Sequence, residues 1–244
     1  MKLYNELAEW WPIMATPAEY QEEAAFFGRL LSESRKPRPR TVLDLGSGSG
    51  NVAFHLKAHF AMTLVDVSPQ MLAVSRAINP ECDHLLGDIR TLRLGRTFDA
   101  VFVHDAVCHM TTESDLEAVM ETAFVHCRPG GVALFVPDEL RETFVPGTDH
   151  GGHDREDRGL RYLQWTTDPD PSDTTILVDF AILLRDARGD VQIVHERQTH
   201  GLFARAVWRR LLRKVGFTPS VVSDERIRDL FLCRRREWPA RVRR

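Results

Sequence analysis

Nine residues constrain this chain more than any others: Val42-Leu43-Asp44-Leu45-Gly46-Ser47-Gly48-Ser49-Gly50. A short β-prone run passes straight into a turn with glycine at every second place, and a helical period follows through Leu56. Glycines at a strand-to-helix turn let a ligand approach the backbone, and the first N–H groups of the next helix have no partner inside it. The segment therefore predicts a ligand-binding βα unit. The turn alone is not specific, because nicotinamide-binding folds use a similar loop.

The alternation continues along the chain. Residues 61–66 read as a second strand, 83–88 as a third, 98–104 as a fourth and 132–136 as a fifth. Helical spacing fills the gaps, and the clearest case is the run after Thr112, with Leu116, Val119, Met120, Ala123, Phe124 and Cys127 on one face, ended by Pro129-Gly130-Gly131. Upstream, Thr16-Pro17-Ala18-Glu19 writes a helix start, and Tyr20, Ala24, Phe27 and Leu31 follow as a buried stripe. Such strand–helix alternation predicts a doubly wound parallel α/β sheet. From about Asp138 the pattern changes: a polar stretch over 146–159 precedes three β-like runs at 160–166, 174–185 and 191–198. A helix over 204–215 capped by Gly216 and two short strands, 219–223 and 229–233, close the chain. The expected organisation is a Rossmann-like seven-stranded domain over 1–137 and 201–244, with a small antiparallel β insertion over 138–200.

Composition narrows the class. The 244 residues are 43% hydrophobic with net charge −3, enough for a sizeable core, and no apolar run reaches the roughly 20 residues of a membrane span. No signal-peptide pattern opens the chain, and the four cysteines lack metal-ligand spacing, so a cytoplasmic protein with reduced thiols is expected. No membrane partner is expected. Residues 226–244 carry a charge of +6, leaving about −9 elsewhere. That run reads as a solvated tail, since it lacks the interleaved aromatics of a nucleic-acid surface. His150, His153 and Asp154 form no complete ligand set, and no metal is expected.

Three carboxylates give the glycine loop its meaning. Asp44 lies inside the first strand, where it can face an ammonium or a water bound to one. Asp66 closes the second strand, where a carboxylate accepts the ribose hydroxyls of an adenosine. Asp88, after Gly87, is placed to receive an adenine amino group, with Ile89 and Met71 flanking the ring.

Taken in order, Asp44-Leu45-Gly46-Ser47-Gly48-Ser49-Gly50, Asp66, Gly87-Asp88, Phe98-Asp99-Ala100-Val101 and Pro129-Gly130-Gly131 resemble the motif set of class I S-adenosylmethionine-dependent methyltransferases. Within that class the chain looks like bacterial aminosugar N,N-dimethyltransferases and, more loosely, glycine N-methyltransferases. Gly87-Asp88-Ile89-Arg90, His104-Asp105-Ala106-Val107-Cys108-His109-Met110 and Glu196 followed by Gly201-Leu202-Phe203 carry that likeness. The resemblance implies S-adenosylmethionine as cofactor and strand order 3-2-1-4-5-7-6 with strand seven antiparallel. It also implies cofactor contacts at Gly46, Asp66, Asp88, Ile89 and His104, with Tyr4 and Tyr20 closing over the methionine end. Ser47, Gly48 and Val67 complete the expected cofactor set. The acceptor-side set of the aminosugar enzymes has no full counterpart here.

The expected reaction is in-line methyl transfer to a nitrogen or oxygen of a small-molecule acceptor. A base is needed only where the acceptor must lose a proton. His109, just past the fourth strand, is the candidate base, although a histidine there can equally cap or pack. Tyr162, Trp165, Glu196 and His200 are the candidates for the acceptor pocket. A nicotinamide-dependent oxidoreductase shares the loop and Asp66 but leaves Asp44, Gly87-Asp88 and Pro129-Gly130-Gly131 unexplained. The motifs are also compatible with a non-catalytic cofactor-binding protein and with a methyltransferase acting on RNA or protein. Nucleic acid is not the expected partner, and a homodimer is left open.

Overall fold

The computed structural model describes residues 1–223 and 228–236. Five parallel strands form the centre of the larger sheet: β1 (Thr41–Leu45), β2 (Ala61–Asp66), β3 (Asp83–Leu86), β4 (Phe98–His104) and β5 (Cys127–Val136). The chain later adds β10 (Phe217–Ser223) and β11 (Asp229–Arg235), so the order across the sheet is β3-β2-β1-β4-β5-β11-β10, with β11 antiparallel to β5. This is the expected order 3-2-1-4-5-7-6, with the last strand inserted between the fifth and sixth. Order and direction match a Rossmann-like methyltransferase fold.

Side chains alternate between two cores. Leu43, Val101, Val103, Ala133 and Phe135 point to one face and Val42, Ala100, Phe102, Val132 and Leu134 to the other, all of them essentially inaccessible. Helices α2 (Gln21–Glu33) and α3 (Asn51–Leu56) cover the second face. Helices α5 (Glu113–His126) and α6 (Arg205–Val215) cover the first, where Trp208 stacks on Phe231 with ring centroids 5.0 Å apart. Burial of apolar rows on both faces of parallel strands is what an unbroken Val/Leu/Phe run requires. The two remaining helices are α1 (Trp11–Met14), in the N-terminal segment, and α4 (Pro69–Ile78), which starts where the Ser68 hydroxyl accepts a hydrogen bond from Met71 N–H. Of the predicted stripe, Ala24, Phe27 and Leu31 are buried in α2, while Tyr20 is half-buried in the turn before it. Its entry is a single tight turn, Pro17–Tyr20, in which the Glu19 carboxylate accepts from the Thr16 N–H and hydroxyl at 2.5 and 2.9 Å.

Two local readings need correction. Pro129-Gly130-Gly131 does not separate a helix from a strand, because β5 begins at Cys127 directly after α5. Cys127 pairs with Phe98 while Val132 pairs with Ala100, so the intervening residues bulge out of the ladder. The polar stretch 146–159 contains a strand, β6 (Gly147–Gly151). Together with β7 (Gly159–Thr167), β8 (Thr175–Arg185) and β9 (Val191–Gly201) it forms a four-stranded antiparallel sheet in the order β6-β7-β8-β9. Gly-Thr-Asp-His-Gly has no apolar alternation of its own; pairing with β7 at the sheet edge makes it a strand. A polar edge also discourages pairing with other chains.

Part of the Arg-rich run is structural. Arg235 donates to the carbonyls of Phe124 and Cys127 at 2.6 and 2.7 Å and lies over the Phe124 ring, and Arg228 pairs with Glu23. Trp238 and the last three arginines lie outside the described residues. Among the described residues no helix is long and apolar enough to cross a membrane.

The glycine turn is held against the end of β4. Gly46 has φ +84°, and a Cβ placed on it would stand 2.1 Å from the Cβ of Ala106. Gly46→Ala combines a left-handed strain with an overpacked contact, and we expect it to destabilise the protein by about 2 kcal/mol or more. Urea unfolding measures the loss; an unchanged midpoint would show that the two loops separate freely.

Candidate active site

All five central strands point their C-terminal ends at one cavity of about 750 Å³. Its floor is the glycine turn. Gly46 and Ser47 donate their N–H groups to the Val65 carbonyl at 2.8 and 2.9 Å, which leaves the carboxylate of the next residue, Asp66, over the loop. Asp66 accepts from Gly48 N–H and Ser68 N–H, both at 2.8 Å. One carboxylate thus ties the turn after β1 to the start of α4. Burial raises its pKa against those hydrogen bonds.

Asp88 lines the same cavity two residues beyond β3. Its carboxylate is not free: Oδ1 accepts from Arg90 N–H at 2.9 Å and Oδ2 from the guanidinium at 2.7 Å, and Arg90 also pairs with Asp115 at 3.1 Å. The guanidinium beside it holds the Asp88 carboxyl below its usual range. Ile89 and Met71 are buried in the wall, and Val67 stands exposed at the rim.

Asp44 behaves differently. It is 3% exposed and lines the cavity, and its carboxylate accepts no hydrogen bond from any described residue. Burial drives its pKa up to about 7, with His104 opposing and Asp66 and Asp105 reinforcing the rise. A buried carboxylate without donors is costly unless a cation or a proton arrives. Ser47, Gly48 and Gly46 complete the floor.

The end of β4 carries the densest charge. His104 Nε2 lies 2.8 Å from Asp105 and 3.5 Å from Glu23. Burial by itself lowers the His104 pKa, but the two carboxylates outweigh it and push it up to about 10. Asp105 stands at φ +52°, a backbone state that non-glycine residues rarely adopt. Such strain clusters at functional sites. Burial and the Asp105 charge push the Asp138 carboxyl well up, while His104 holds Asp105 down.

The N-terminal segment roofs the cavity with Leu3, Tyr4, Trp11, Met14 and Tyr20. It is pinned at two points: Leu3 N–H donates to Glu196 at 2.7 Å, and the Ser68 hydroxyl donates to the Tyr4 carbonyl at 2.5 Å. Burial raises the pKa of Tyr4 and of Tyr20, so both phenols stay neutral. His109 lies beneath Tyr4, ring edge to face at 5.6 Å, and burial lowers its pKa, which leaves the imidazole uncharged.

All twelve residues expected at the cofactor line this one cavity, as does His109. The acceptor-side expectation fares less well. Of its four residues only His200 lines the cavity. On β7 the even-numbered side chains Gln164 and Thr166 face inward, so Trp165 turns out and is 57% exposed. Tyr162 shares the inward face but packs lower down, against Phe180. Glu196 is buried beneath the roof, 7% exposed, and serves Leu3 and Gln198. Sequence reasoning missed Asp105, Asp138, Cys108, Gln164 and Thr166. An acid directly after a parallel strand was the available signal for the first two; nothing local marked the others. His150, His153 and Asp154 are exposed, and Asp154 pairs with Arg161 and Arg185.

The donor atoms of Cys108, His109 and His200 lie within 4.8 Å of one another. Burial and the nearby Asp138 and Asp105 push the Cys108 thiol well up.

The sequence profile of the methyltransferase domain family matches residues 42–131, which is β1 to the β5 bulge and includes the glycine turn, Asp66, Asp88 and His104. That segment is a methyltransferase domain. A dTDP-3-amino-3,6-dideoxy-alpha-D-glucopyranose N,N-dimethyltransferase of Streptomyces fradiae is 32% identical over 131 residues, 53% of this chain and 51% of that protein. The chain thus spans about half the length of the curated relatives it matches. Structural likeness reaches further. The sugar N-methyltransferase KedS8 of Streptoalloteichus sp. superposes with TM-score 0.80 at 26% identity, covering 88% of this chain and 87% of that one. The amino pentose methyltransferase CalS10 of Micromonospora echinaspora, solved with S-adenosylmethionine bound, gives 0.76 at 25% identity over 88% and 91%. The likeness extends beyond the methyltransferase domain, since the matched segment alone is much shorter.

The raised pKa of His104 has a consequence for stability. Relative to an ordinary histidine at 6.5, its ion pairs stabilise the fold fully below about pH 6.5, and that contribution is lost as pH rises through about 10. Unfolding free energies of the native protein and of His104→Gln, measured from pH 6 to 10, should therefore converge toward the alkaline end. A constant difference across that range would show that the histidine is not charged in the fold.

Proposed function

We propose that this protein transfers a methyl group from S-adenosylmethionine to the nitrogen of a small amine, an aminosugar in the first instance. One observation carries the reading: Asp44, Asp66 and Asp88, on three neighbouring strand ends, line a single cavity above the glycine turn. The unpartnered Asp44 suits the α-ammonium of the cofactor. Asp66 retains lone pairs for the two ribose hydroxyls after accepting from Gly48 and Ser68. Asp88 offers what Arg90 leaves of its carboxylate to an adenine amino group, while Ile89, Met71 and Val67 flank the ring. Tyr4, Tyr20 and His104 enclose the methionine end, with Ser47 and Gly48 beneath it. A nicotinamide dinucleotide gives Asp44 no partner.

S-adenosylmethionine supplies a sulfonium-bound methyl group that needs no further activation. The protein's task is to line up the acceptor nitrogen behind that methyl group and to keep water out. The N-terminal roof closes the cavity over Tyr4 and His109. His109, held neutral by burial, is the group we assign to take a proton from an acceptor that arrives as an ammonium. The second sheet supplies the opposite wall through Gln164, Thr166, Val178 and Phe180. The acceptor class follows from the sugar methyltransferases to which the chain is similar, which act on amino sugars, and from an acid-rich cavity that favours a basic amine. We place the reaction in the cytoplasm.

Two measurements test the proposal. S-adenosylhomocysteine at 100 times its Kd should add about 2.7 kcal/mol of stability, with NADH adding none; the opposite pattern would reject methyl transfer. Each charged hydrogen bond contributes roughly 1.5–3 kcal/mol, so Asp66→Ala should weaken S-adenosylhomocysteine binding at least tenfold by calorimetry.

A further inference from the structure

A chain of three side chains on one face of β9 leads from the roof of the cavity to its interior. Glu196, Gln198 and His200 alternate along the strand and so point the same way. Glu196 and Gln198 are 7% and 3% exposed. Leu3 N–H donates to Glu196 Oε2 at 2.7 Å, and Gln198 Nε2 donates to Glu196 Oε1 at 3.0 Å. Gln198 Oε1 and His200 Nε2 are 3.0 Å apart.

The direction of every hydrogen in this chain is forced. A carboxylate accepts and does not donate, so the amide NH2 of Gln198 must face Glu196. The amide oxygen must then face His200, and an oxygen acceptor requires the ring to donate Nε2–H. A neutral imidazole has one N–H, so Nδ1 is left with a bare lone pair. His200 lines the cavity and stands edge to face with His109 at 5.0 Å.

We propose that Glu196 and Gln198 are positioning residues that lock His200 as its Nε2–H tautomer, so that bare Nδ1 accepts a hydrogen bond from the acceptor's N–H and turns the nitrogen lone pair toward the methyl group. Burial first, and the neighbouring His109 second, lower the His200 pKa to about 4. The ring therefore remains an acceptor at neutral pH and does not compete for the proton that His109 takes. In the transfer, the acceptor nitrogen forms a bond to carbon as the carbon–sulfur bond breaks and its electron pair stays on sulfur. The N–H held by His200 stays on nitrogen throughout. The lock also depends on the roof, because the Leu3 N–H fills one oxygen of Glu196. The inference rests on the proposed amine methylation and specifies how that site holds its acceptor.

The test uses the full chain with ¹⁵N-labelled histidine, with the His200 signals identified by their loss in His200→Gln. Two-bond ¹H–¹⁵N spectra at neutral pH should show His200 protonated at Nε2 and bare at Nδ1. In Gln198→Leu the tautomers should mix, while the Kd for S-adenosylhomocysteine stays within about twofold of the native value, which shows the fold intact. On dTDP-3-amino-3,6-dideoxy-alpha-D-glucopyranose, Gln198→Leu should raise KM by the reciprocal of the fraction that keeps the Nε2–H form, about twofold for an even mixture, and leave kcat unchanged. An Nδ1–H tautomer in the native protein, or a tautomer unmoved by Gln198→Leu, overturns the proposal. So does a fall in kcat with KM unchanged, or zinc isolated with the protein and bound through His200, which would occupy the lone pair. No turnover of that sugar by the native protein would overturn the amine reading instead, and with it the role given to Nδ1, while the tautomer lock is judged separately by the spectra.

Discussion

The parallel pairing of β1 between β2 and β4 is the constraint on which the rest of this molecule depends. It aligns Asp44 with Leu64 and with Phe102, and so brings three strand ends to one edge of the sheet. Three buried or half-buried acids and one buried histidine meet there because chain direction, not local preference, delivers them. Gly46 then allows the turn after β1 to touch Ala106 after β4, and a Cβ at Gly46 would hold the two apart. Without that contact the cavity floor would open.

The electrostatics of the edge follow from burial. Asp44 has no donor, Asp66 has two backbone donors, Asp88 has a guanidinium, and Asp105 has a charged histidine. Four acids of similar kind therefore have four different demands on a ligand. Asp44 is the least satisfied, which makes it the position where a cation gains most. Burial and the Asp105 charge push the Asp138 carboxyl well up.

The second sheet converts a cofactor cavity into a two-sided site. Its inward rows supply Gln164, Thr166, Val178, Phe180 and His200, and its β9 row anchors the N-terminal segment through Glu196. Roof and acceptor wall are therefore linked by hydrogen bonds rather than by packing alone. This arrangement gives the chain a means of closing over a ligand that the sheet edge by itself does not have.

Asp44, Asp66, Asp88, the glycine turn and most of the stripe of α2 were legible in the sequence, encoded within a few neighbouring residues by period, turn chemistry or motif spacing, whereas the strand order came from the family resemblance alone. Trp165 was misjudged as a pocket residue because the parity of β7 against the cavity is set by its pairing with β8, which no local pattern reveals; Tyr162 has the inward parity but packs lower down, against Phe180. For the same reason β6 was invisible until its edge pairing made a strand of polar residues. The sequence by itself determined the cofactor half, whose signals are local. Only the tertiary structure decided the acceptor half, because register and facing depend on contacts between residues far apart in the chain.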